Sequence, residues 1–431
     1  MEYRPIYETA LAAPGGAPLA APSPARRMLL AFGPAALVTV GYMDPGNWAT
    51  DIAGGAGHGY VLLSVVLLSS LMAMPLQVLA ARLGLGSGRD LASCCRERYP
   101  RPLSIALWLL AELGIVACDL AELIGVAVAL HLLFGLPLVA GVLIASADAI
   151  LILFLQDRGF CRLEAVVIGL IAVIGVCLGS VLVMAQPAAA ELARGLVPDS
   201  RIFSNAELLY LAIGIVGATV MPHNIYLQSW LVRGLGGADK AAAIRASTLC
   251  TVSAMTLAFF INAAILVVAA AVFHGSGRSD VADIRDAHAL LSPLVGAAGA
   301  STLFALALLA AGLNATFTAT LAGQVVMEGF LRIRIPAWQR RLFTRLLALV
   351  PALFAVGHGG DAGIGGLMVL SQVVLSLQLP FALLPLLHFV CSRRVMGAWV
   401  APRGLAALGW ALCGALVVLD VKLVWDFVVT L

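Results

Sequence analysis

Eleven segments of this chain are apolar and long enough to cross a lipid bilayer, which restricts the possible folds more than any other feature. A spanning helix needs about 20 mainly apolar residues, and lipid admits only helices and closed barrels. Only 11% of the residues are charged, against about 25% in soluble proteins. We therefore predict an all-α polytopic membrane protein with 11 transmembrane helices, at 28–56, 60–83, 103–134, 137–156, 163–186, 206–232, 246–273, 294–326, 342–357, 363–391 and 404–430.

The distribution of basic residues predicts how these helices are oriented. Of the 26 Lys and Arg residues, 21 fall in the N-terminal region or in and beside the loops after every second helix, four fall in the opposite loops, and one lies in the last segment. Because cytoplasmic loops carry the excess of Lys and Arg, we expect a cytoplasmic N-terminus and an external C-terminus.

Several functional classes are disfavoured by what the chain lacks. The N-terminal residues 1–25, which are rich in Ala and Pro without helical periodicity, are predicted to form a disordered cytoplasmic tail and not a functional domain. The eight cysteines show no CxxC pair and no metal spacing, so we interpret them as small apolar side chains. No phosphate loop, nucleophile elbow or dinucleotide motif occurs. We expect no enzyme activity, no cofactor, no nucleic-acid partner and no obligate protein partner.

An acidic break interrupts the first apolar segment, in the stretch Gly41-Tyr42-Met43-Asp44-Pro45-Gly46-Asn47. A carboxylate at the centre of a spanning helix costs about 2.5–3.5 kcal/mol on insertion scales. Pro45 removes a backbone donor and Gly46 is a poor helix former, so the helix is predicted to break here. Such a break frees backbone carbonyls beside a carboxylate and an amide, and these oxygens suit a cation.

The sixth segment repeats this pattern in Met221-Pro222-His223-Asn224. Because it follows the first segment by five places, it enters the membrane from the opposite side. Two discontinuous helices related in this way are the signature of an inverted five-plus-five repeat with a midplane site. We predict a first repeat at 26–186, a second and inverted repeat at 206–391, and an additional helix at 404–431.

The two breaks together predict a metal site. The first offers oxygens of Asp44 and Asn47 and the Gly41 carbonyl, and the second offers the Met221 sulfur and the Ala218 carbonyl. Hard cations prefer all-oxygen ligands, whereas a thioether favours transition metals such as Mn²⁺ and Fe²⁺. A membrane methionine is more commonly a core side chain, but its position before Pro222, facing the repeat of Asp44, favours the ligand interpretation.

Titratable side chains near the breaks predict a proton path. His223 follows Pro222, where it is either a satisfied core residue or a proton carrier. Glu112, Asp119 and Glu122 share one face of the third helix, which is costly unless they line a polar path or pair with arginines. Arg345, at the start of the ninth helix, is the expected partner of Asp119 or Glu112.

Other polar residues in apolar segments have two interpretations each. For each of Gln372, Gln378, Asn314 and Gln324 taken singly, interhelical hydrogen bonding is the favoured interpretation. Gln372 is our candidate for a further metal ligand in a closed state. The first helix continues outward through Thr50, Asp51 and His58, and these side chains could line an entry funnel. For His58, at the edge of a loop, exposure to solvent is the simplest interpretation. Asp148 is an intramembrane acid for which the sequence indicates no partner.

These motifs resemble the Nramp family, the natural resistance-associated macrophage proteins. The resemblance covers about residues 26–395 and includes both breaks, Gly88-Arg89-Asp90-Leu91, Arg96-Glu97-Arg98-Tyr99-Pro100, and the segment from Ala322 to Phe330.

The resemblance implies a leucine-transporter-type fold and proton-coupled import of Mn²⁺ and Fe²⁺ into bacteria across the inner membrane. It implies metal ligands at Asp44, Asn47, Met221 and the Ala218 carbonyl, joined in some states by the Gly41 carbonyl and Gln372. It implies a proton path through Asp44, Glu122, Asp119 and His223, with the ninth-helix arginine at Arg345. The chain departs from the family at Gln228, where a second histidine is usual, and in its Ser-poor eighth helix. Met221 argues against the Mg²⁺-transporting relatives.

Two other functions are alternatives. A transporter of the same fold for an amino acid would not be expected to carry its own carboxylate at Asp44. A channel or receptor is the second alternative, and saturable uptake with accompanying proton movement would distinguish a carrier from it.

Overall fold

The computed structural model describes residues 24–147, 160–235, 239–278, 284–297, 299–333, 335–358 and 360–430. Within these ranges the chain is almost entirely helical. Most of the predicted tail, residues 1–23, lies outside the described residues. Residues 148–159, which include Asp148 and the end of the fourth predicted helix, also lie outside them. Pro24 and Ala25, which we placed in the tail, begin the first helix.

The helices follow the apolar segments of the sequence closely. In chain order they are α1 Pro24–Val40, α2 Pro45–His58, α3 Leu63–Ser87, α4 Leu91–Arg98, α5 Arg101–Phe134, α6 Leu138–Ser146, α7 Phe160–Ala185, α8 Ala189–Gly195, α9 Arg201–Ser204, α10 Ala206–Val220, α11 Pro222–Leu231, α12 Lys240–Val272, α13 Ile284–Val295, α14 Ala300–Leu331, α15 Ala337–His358, α16 Gly360–Cys391, α17 Arg393–Met396 and α18 Arg403–Thr430.

Both predicted helix breaks are present. A 3₁₀ turn, Gly41–Met43, and an extended residue, Asp44, separate α1 from α2. Met221 alone separates α10 from α11, at φ 27° and ψ 106°. Pro45 and Pro222 are the first residues of α2 and α11, where a missing amide proton costs nothing because that group has no intrahelical partner.

Two boundaries differ from the prediction. The ninth helix, α15, begins at Ala337 rather than 342, so it includes Arg340 and Arg341. The predicted segment 294–326 starts in a separate helix, α13, and its spanning helix α14 begins at Ala300. Gly296 and Gly299 have φ values of 70° and 97°, and this left-handed backbone ends α13 before α14 starts.

Among the described residues, eight helices are long and apolar enough to cross a membrane. The pair α10–α11 counts as one of them, while α1 with its 3₁₀ turn is a shorter apolar helix. The prediction of 11 spanning helices therefore stays a prediction.

The discontinuous helices lie inside the bundle. Within the most apolar part of α10–α11, 94% of the residues are buried, against 22% for α18 at the periphery. Helix α2 packs against α12, α10, α16 and α5, and α11 packs against α3 and α14. We call the two ends of the bundle outer and inner, following the predicted orientation: His58 and His274 lie at the outer end, and α4 lies at the inner end.

Candidate functional site

Asp44 is the first residue of the site and is held by the helix that it begins. Its Oδ1 accepts hydrogen bonds from the Asn47 backbone amide (3.0 Å) and from Asn47 Nδ2 (2.7 Å), so Asp44 is the N-cap of α2. The residue is fully buried. Its Oδ2 has no hydrogen-bond partner in the described part of the chain. A buried carboxylate oxygen without a donor is rare in proteins, and it is available to a cation.

Met221 holds the corresponding position in the second break. It is fully buried, and its positive φ is one that residues other than glycine seldom adopt. Strain of this kind persists only where the surrounding structure imposes it, and it concentrates at functional sites. Asn224 Nδ2 lies 3.6 Å from the Met221 sulfur, so the thioether is oriented by a neighbouring amide.

Two asparagines join the breaks. Asn47 Nδ2 donates to the Ala218 carbonyl (3.0 Å) as well as to Asp44, so one side chain links two predicted ligands from different helices. Asn224 links Met221 to the first break, because a Cβ on Gly41 would overlap the Asn224 side chain. The structure thus brings together the metal ligands predicted in segments that are far apart in sequence.

Gln372 lies against the first break from α16. A Cβ on Gly46 would overlap the Gln372 side-chain amide, and its Oε1 has no partner among the described residues. Asn262 of α12, which sequence reasoning did not identify, donates to Asn47 Oδ1 at 3.3 Å. No group of three or more His, Cys, Asp or Glu side chains in the described ranges is arranged as a metal cluster. Asp44 is thus the one carboxylate among the predicted ligands, and the others are amide, carbonyl and thioether groups.

The acids of α5 are paired with arginines of α15. Glu122 Oε2 accepts from Arg341 Nη2 at 3.1 Å and from Arg345 Nη2 at 3.3 Å. Arg341 Nη1 also pairs with Asp119 Oδ1. All four side chains are buried, and ion pairs with additional hydrogen bonds are the form in which a protein interior tolerates charge.

The predicted pairing of Arg345 was wrong. Arg345 contacts Glu122 and the backbone carbonyl of Asp119 (3.0 Å), not the carboxylate of Asp119 or Glu112. Asp119 pairs with Arg341, and Glu112 pairs with Arg340 at 2.8 Å. The error follows from starting the ninth helix at 342, which left Arg340 and Arg341 in a loop. Three arginines, rather than one, face the acids of α5.

His223 is connected to this ion-pair network through Cys118. His223 Nε2 lies 3.9 Å from the Cys118 sulfur, and that thiol donates to Glu122 Oε1 at 3.6 Å. Thr316 adds a hydroxyl that contacts both Glu122 (3.4 Å) and Arg345 (3.0 Å). The sequence alone predicts only a small apolar side chain at Cys118, because nothing in its local context indicates a position between a histidine and an acid.

Three of the remaining amides make interhelical or local hydrogen bonds, whereas Gln378 Nε2 has no hydrogen-bond partner in the described part of the chain. Asn314 donates to the Val167 carbonyl of α7 (3.3 Å), and Gln324 donates to Glu328 (2.9 Å). Gln228, where a histidine is usual in the resembled family, donates to Thr251 Oγ1 of α12 at 3.2 Å. These contacts fit the structural interpretation of such residues.

Comparison with known proteins decides the family. The model of the natural resistance-associated macrophage protein-like family matches residues 35–426. The chain belongs to the Nramp family. It is 55% identical over 405 residues to a divalent metal cation transporter, MntH, of Xanthomonas campestris, covering 93% of this chain and 91% of the relative. An MntH of Bradyrhizobium diazoefficiens is 56% identical, covering 93% and 90%.

Solved structures agree with this placement of the Nramp chain. A manganese transporter of Eremococcus coleocola superposes with a TM-score of 0.84 at 38% identity, covering 93% of this chain and 87% of the other. Mhp1, a nucleobase-cation symporter, and MhsT in complex with L-phenylalanine superpose with TM-scores of 0.59 and 0.61, each at 13% identity. These two likenesses show the fold alone, which is the leucine-transporter type. The chain therefore belongs among divalent metal cation transporters, which are not enzymes.

Proposed function

We propose that this Nramp chain imports Mn²⁺ and Fe²⁺ by alternating access, driven by protons that move with the metal. The observation that carries the proposal is the free, fully buried Oδ2 of Asp44 beside Asn47, the Ala218 carbonyl and the second break at Met221. A carboxylate, neutral oxygens and one thioether favour Mn²⁺ and Fe²⁺ over Ca²⁺ and Mg²⁺. The Gly41 carbonyl and Gln372 are the additional ligands that we assign to other states of the cycle.

The relatives support this substrate class. Two of them are named divalent metal cation transporters, and a solved relative is named a manganese transporter. Iron is proposed here from ligand chemistry, because Mn²⁺ and Fe²⁺ accept the same mixture of oxygen and soft ligands.

The proton route is proposed to run from Asp44 past His223 to Glu122 and Asp119. The role that the sequence assigned to Arg345 alone is shared here by Arg341 and Arg345. Cys118 spans the distance between His223 and Glu122. Glu112 and Arg340 extend the line of paired charges along α5 and α15. Intramembrane chains of acids and histidines mark proton relays.

The proposed location is the bacterial inner membrane, with the N-terminus in the cytoplasm and the C-terminus in the periplasm. The distribution of 21 basic residues on one side and four on the other supports this orientation. Metal then enters from the side of His58 and leaves beside α4.

The test is metal uptake by purified protein in liposomes loaded with a metal-sensitive and a pH-sensitive dye. Wild-type protein is expected to accumulate Mn²⁺ and Fe²⁺ saturably and to acidify the lumen, faster when the outside is acidic. Asp44→Ala removes the only carboxylate among the proposed ligands, and Mn²⁺ uptake should fall by roughly 10- to 100-fold.

The matched control is Asp420→Asn. Asp420 is another buried carboxylate, in α18, and its Oδ1 accepts a hydrogen bond from Ser376 Oγ of α16 at 3.0 Å. The variant should transport Mn²⁺ as wild type does. If Asp44→Ala transports Mn²⁺ normally, the assigned site is wrong. If wild-type uptake leaves the luminal pH unchanged, the proton coupling is wrong while the metal site can stand.

A further inference from the structure

We propose that Asp51 and Asn262 form a second cation-binding position on the outer side of the Asp44 site, which takes a hydrated divalent cation on its way in. The proposal rests on the transport function proposed above. It begins from Asp51 in α2, which is only 1% exposed. Neither of its carboxylate oxygens has a hydrogen-bond partner in the described part of the chain.

The helix places Asp51 between two known contacts with α12. Asn47, Asp51 and Gly55 follow one another at four-residue spacing, so they lie on one side of α2. Asn47 accepts a hydrogen bond from Asn262, and one helical turn beyond Asp51 a Cβ on Gly55 would overlap the α12 backbone at Leu266. The two helices run parallel here, and the Asp51 side chain is therefore enclosed beside α12, just outward of Asn262.

Asn262 supplies a second free oxygen at this place. Its Nδ2 is used by Asn47, whereas its Oδ1 has no partner among the described residues, and the side chain is 1% exposed. Two acceptor oxygens of Asp51 and one of Asn262 are thus buried without a donor where α2 packs against α12. Unsatisfied buried acceptors destabilise a protein unless a cation or water binds them.

Among the described residues no Lys or Arg donates a hydrogen bond to Asp51. Among the helices that pack against α2, three (α10, α14 and α16) contain neither Lys nor Arg, the basic residues of α12 lie in its first two turns, and α5 and α13 contain Arg101 and Arg285. Glu112, Asp119 and Glu122, by contrast, all pair with arginines. A buried carboxylate is costly without a compensating charge, and the partner that we propose for Asp51 is a mobile cation.

The position lies on the path between the outer surface and the metal site. A cavity of about 480 Å³ at the outer end is lined by Gly57, His58 and Tyr60, directly after the Asp51 turn, together with His274. Asp51 is seven residues before His58 and four after Asn47, which corresponds to roughly 10 Å and 6 Å along the helix axis. A cation that leaves this cavity meets Asp51 and Asn262 before it reaches Asn47 and Asp44.

The oxygen ligands predict a site that concentrates cations without selecting among them. Carboxylate and amide oxygens bind Mn²⁺, Ca²⁺ and Mg²⁺ alike and tolerate retained water ligands. No sulfur is required there, so the choice of a transition metal is made at Met221, one step further in. A carboxylate at a constricted entrance also raises the local concentration of its counter-ion.

Direct binding tests the proposal without needing transport. Mn²⁺ is titrated into purified full-length protein in lipid nanodiscs, and bound Mn²⁺ is counted from the loss of the aqueous Mn²⁺ signal in electron paramagnetic resonance. Wild type is expected to show a tight and a weak class, with the weak class displaced by Ca²⁺. Asp51→Asn, nearly identical in shape, should lose the weak class and keep the tight one, and Asp51→Glu should retain both.

Uptake in liposomes gives the second measurement. For Asp51→Asn the KM for Mn²⁺ should rise about tenfold with a maximal rate within about twofold of wild type, whereas Asp420→Asn should match wild type in both. Retention of the tight class shows that Asp51→Asn is folded. If Asp51→Asn keeps the weak class and the wild-type KM, the second position does not exist. If wild type binds both classes but transports no Mn²⁺, it is the proposed transport function that fails.

Discussion

At the scale of single residues, Asn47 shows what metal binding must change. Its amide nitrogen donates to Asp44 Oδ1 and to the Ala218 carbonyl, two of the proposed ligands. An amide nitrogen carries no lone pair for a metal, and only the amide oxygen can act as a ligand. If Asn47 is a metal ligand as proposed, its amide must turn by about half a rotation to present Oδ1 to the ion, which would break the contact of Oδ1 with Asn262. The proposed site would in this way couple entry of the ion to α12.

Met221 is expected to determine selectivity. Met221→Ala removes the thioether and leaves an all-oxygen site, which suits hard cations. We expect Ca²⁺ and Mg²⁺ to compete poorly with Mn²⁺ in wild type and to inhibit Mn²⁺ uptake by the variant at about tenfold lower concentration. The measurement is a competition series in liposomes.

Met255→Ala is the matched control, because Met255 is equally buried in the core of α12. It controls for lost side-chain volume and should leave the competition profile as in wild type. Identical profiles for Met221→Ala and wild type would mean that the sulfur takes no part in selection.

The arginines of α15 show why part of the site was not predictable from sequence. Asp44, Asn47, Met221 and Gln372 stand out because each is a polar or sulfur-containing group at or facing a helix break. The partners of the α5 acids do not, since Arg340 and Arg341 lower the local hydropathy and so move the apparent start of the helix beyond themselves. In the folded protein these arginines are neutralised by acids of the facing helix. A hydropathy profile of the sequence, by contrast, assigns each arginine the full cost of an unpaired charge in the membrane.

At the scale of elements, the broken helices create the electrostatics of the site. Helices α1 and α10 end at the breaks, where unpaired carbonyls carry partial negative charge that favours a cation. The opposite effect at the start of α2, whose N-terminus carries partial positive charge, is offset by Asp44 as its N-cap. Both breaks follow from local sequence alone, through Pro45 and Pro222, which explains why these elements were predicted correctly.

The short helix α4 is expected to anchor the inner end of the bundle. Asp90 caps it by accepting from the Ser93 amide (2.8 Å) and also pairs with Arg233 next to α11 (3.2 Å). Loss of a helix cap costs about 0.5–2 kcal/mol, so Asp90→Ala should lower the free energy of unfolding by about that amount. The midpoint of thermal unfolding in detergent is the measurement.

Arg89→Ala is the appropriate comparison, because Arg89 lies beside Asp90 but forms an exposed pair with Glu97. Exposed pairs contribute about 0–1 kcal/mol, and the midpoint should hardly move. A midpoint for Asp90→Ala no lower than that of Arg89→Ala would show that α4 is not held through its cap.

At the scale of the whole molecule, glycine contacts hold the two predicted repeats together. Gly84 of α3 approaches the backbone of α11 at Ser229, and Gly312 of α14 lies against Val126 of α5. Small residues allow such close approach of helices in membranes. The spacing of the two breaks predicted this arrangement, but no sequence pattern indicated which glycines make the contacts, because that depends on the angles at which distant helices cross.

The orientation of the whole bundle is the remaining prediction, and it follows from the 21 to 4 distribution of basic residues. Ser204, the exposed last residue of α9, should face the outside, and the exposed Ala398, after α17, should face the cytoplasm. In intact cells a membrane-impermeant maleimide should label Ser204→Cys and not Ala398→Cys, and permeabilised cells should give both. Cys94, at the inner end, contributes little background, because burial raises the pKa of its thiol to about 12 and keeps it protonated. Labelling of Ala398→Cys alone in intact cells would invert the orientation, and with it the side from which metal reaches Asp51.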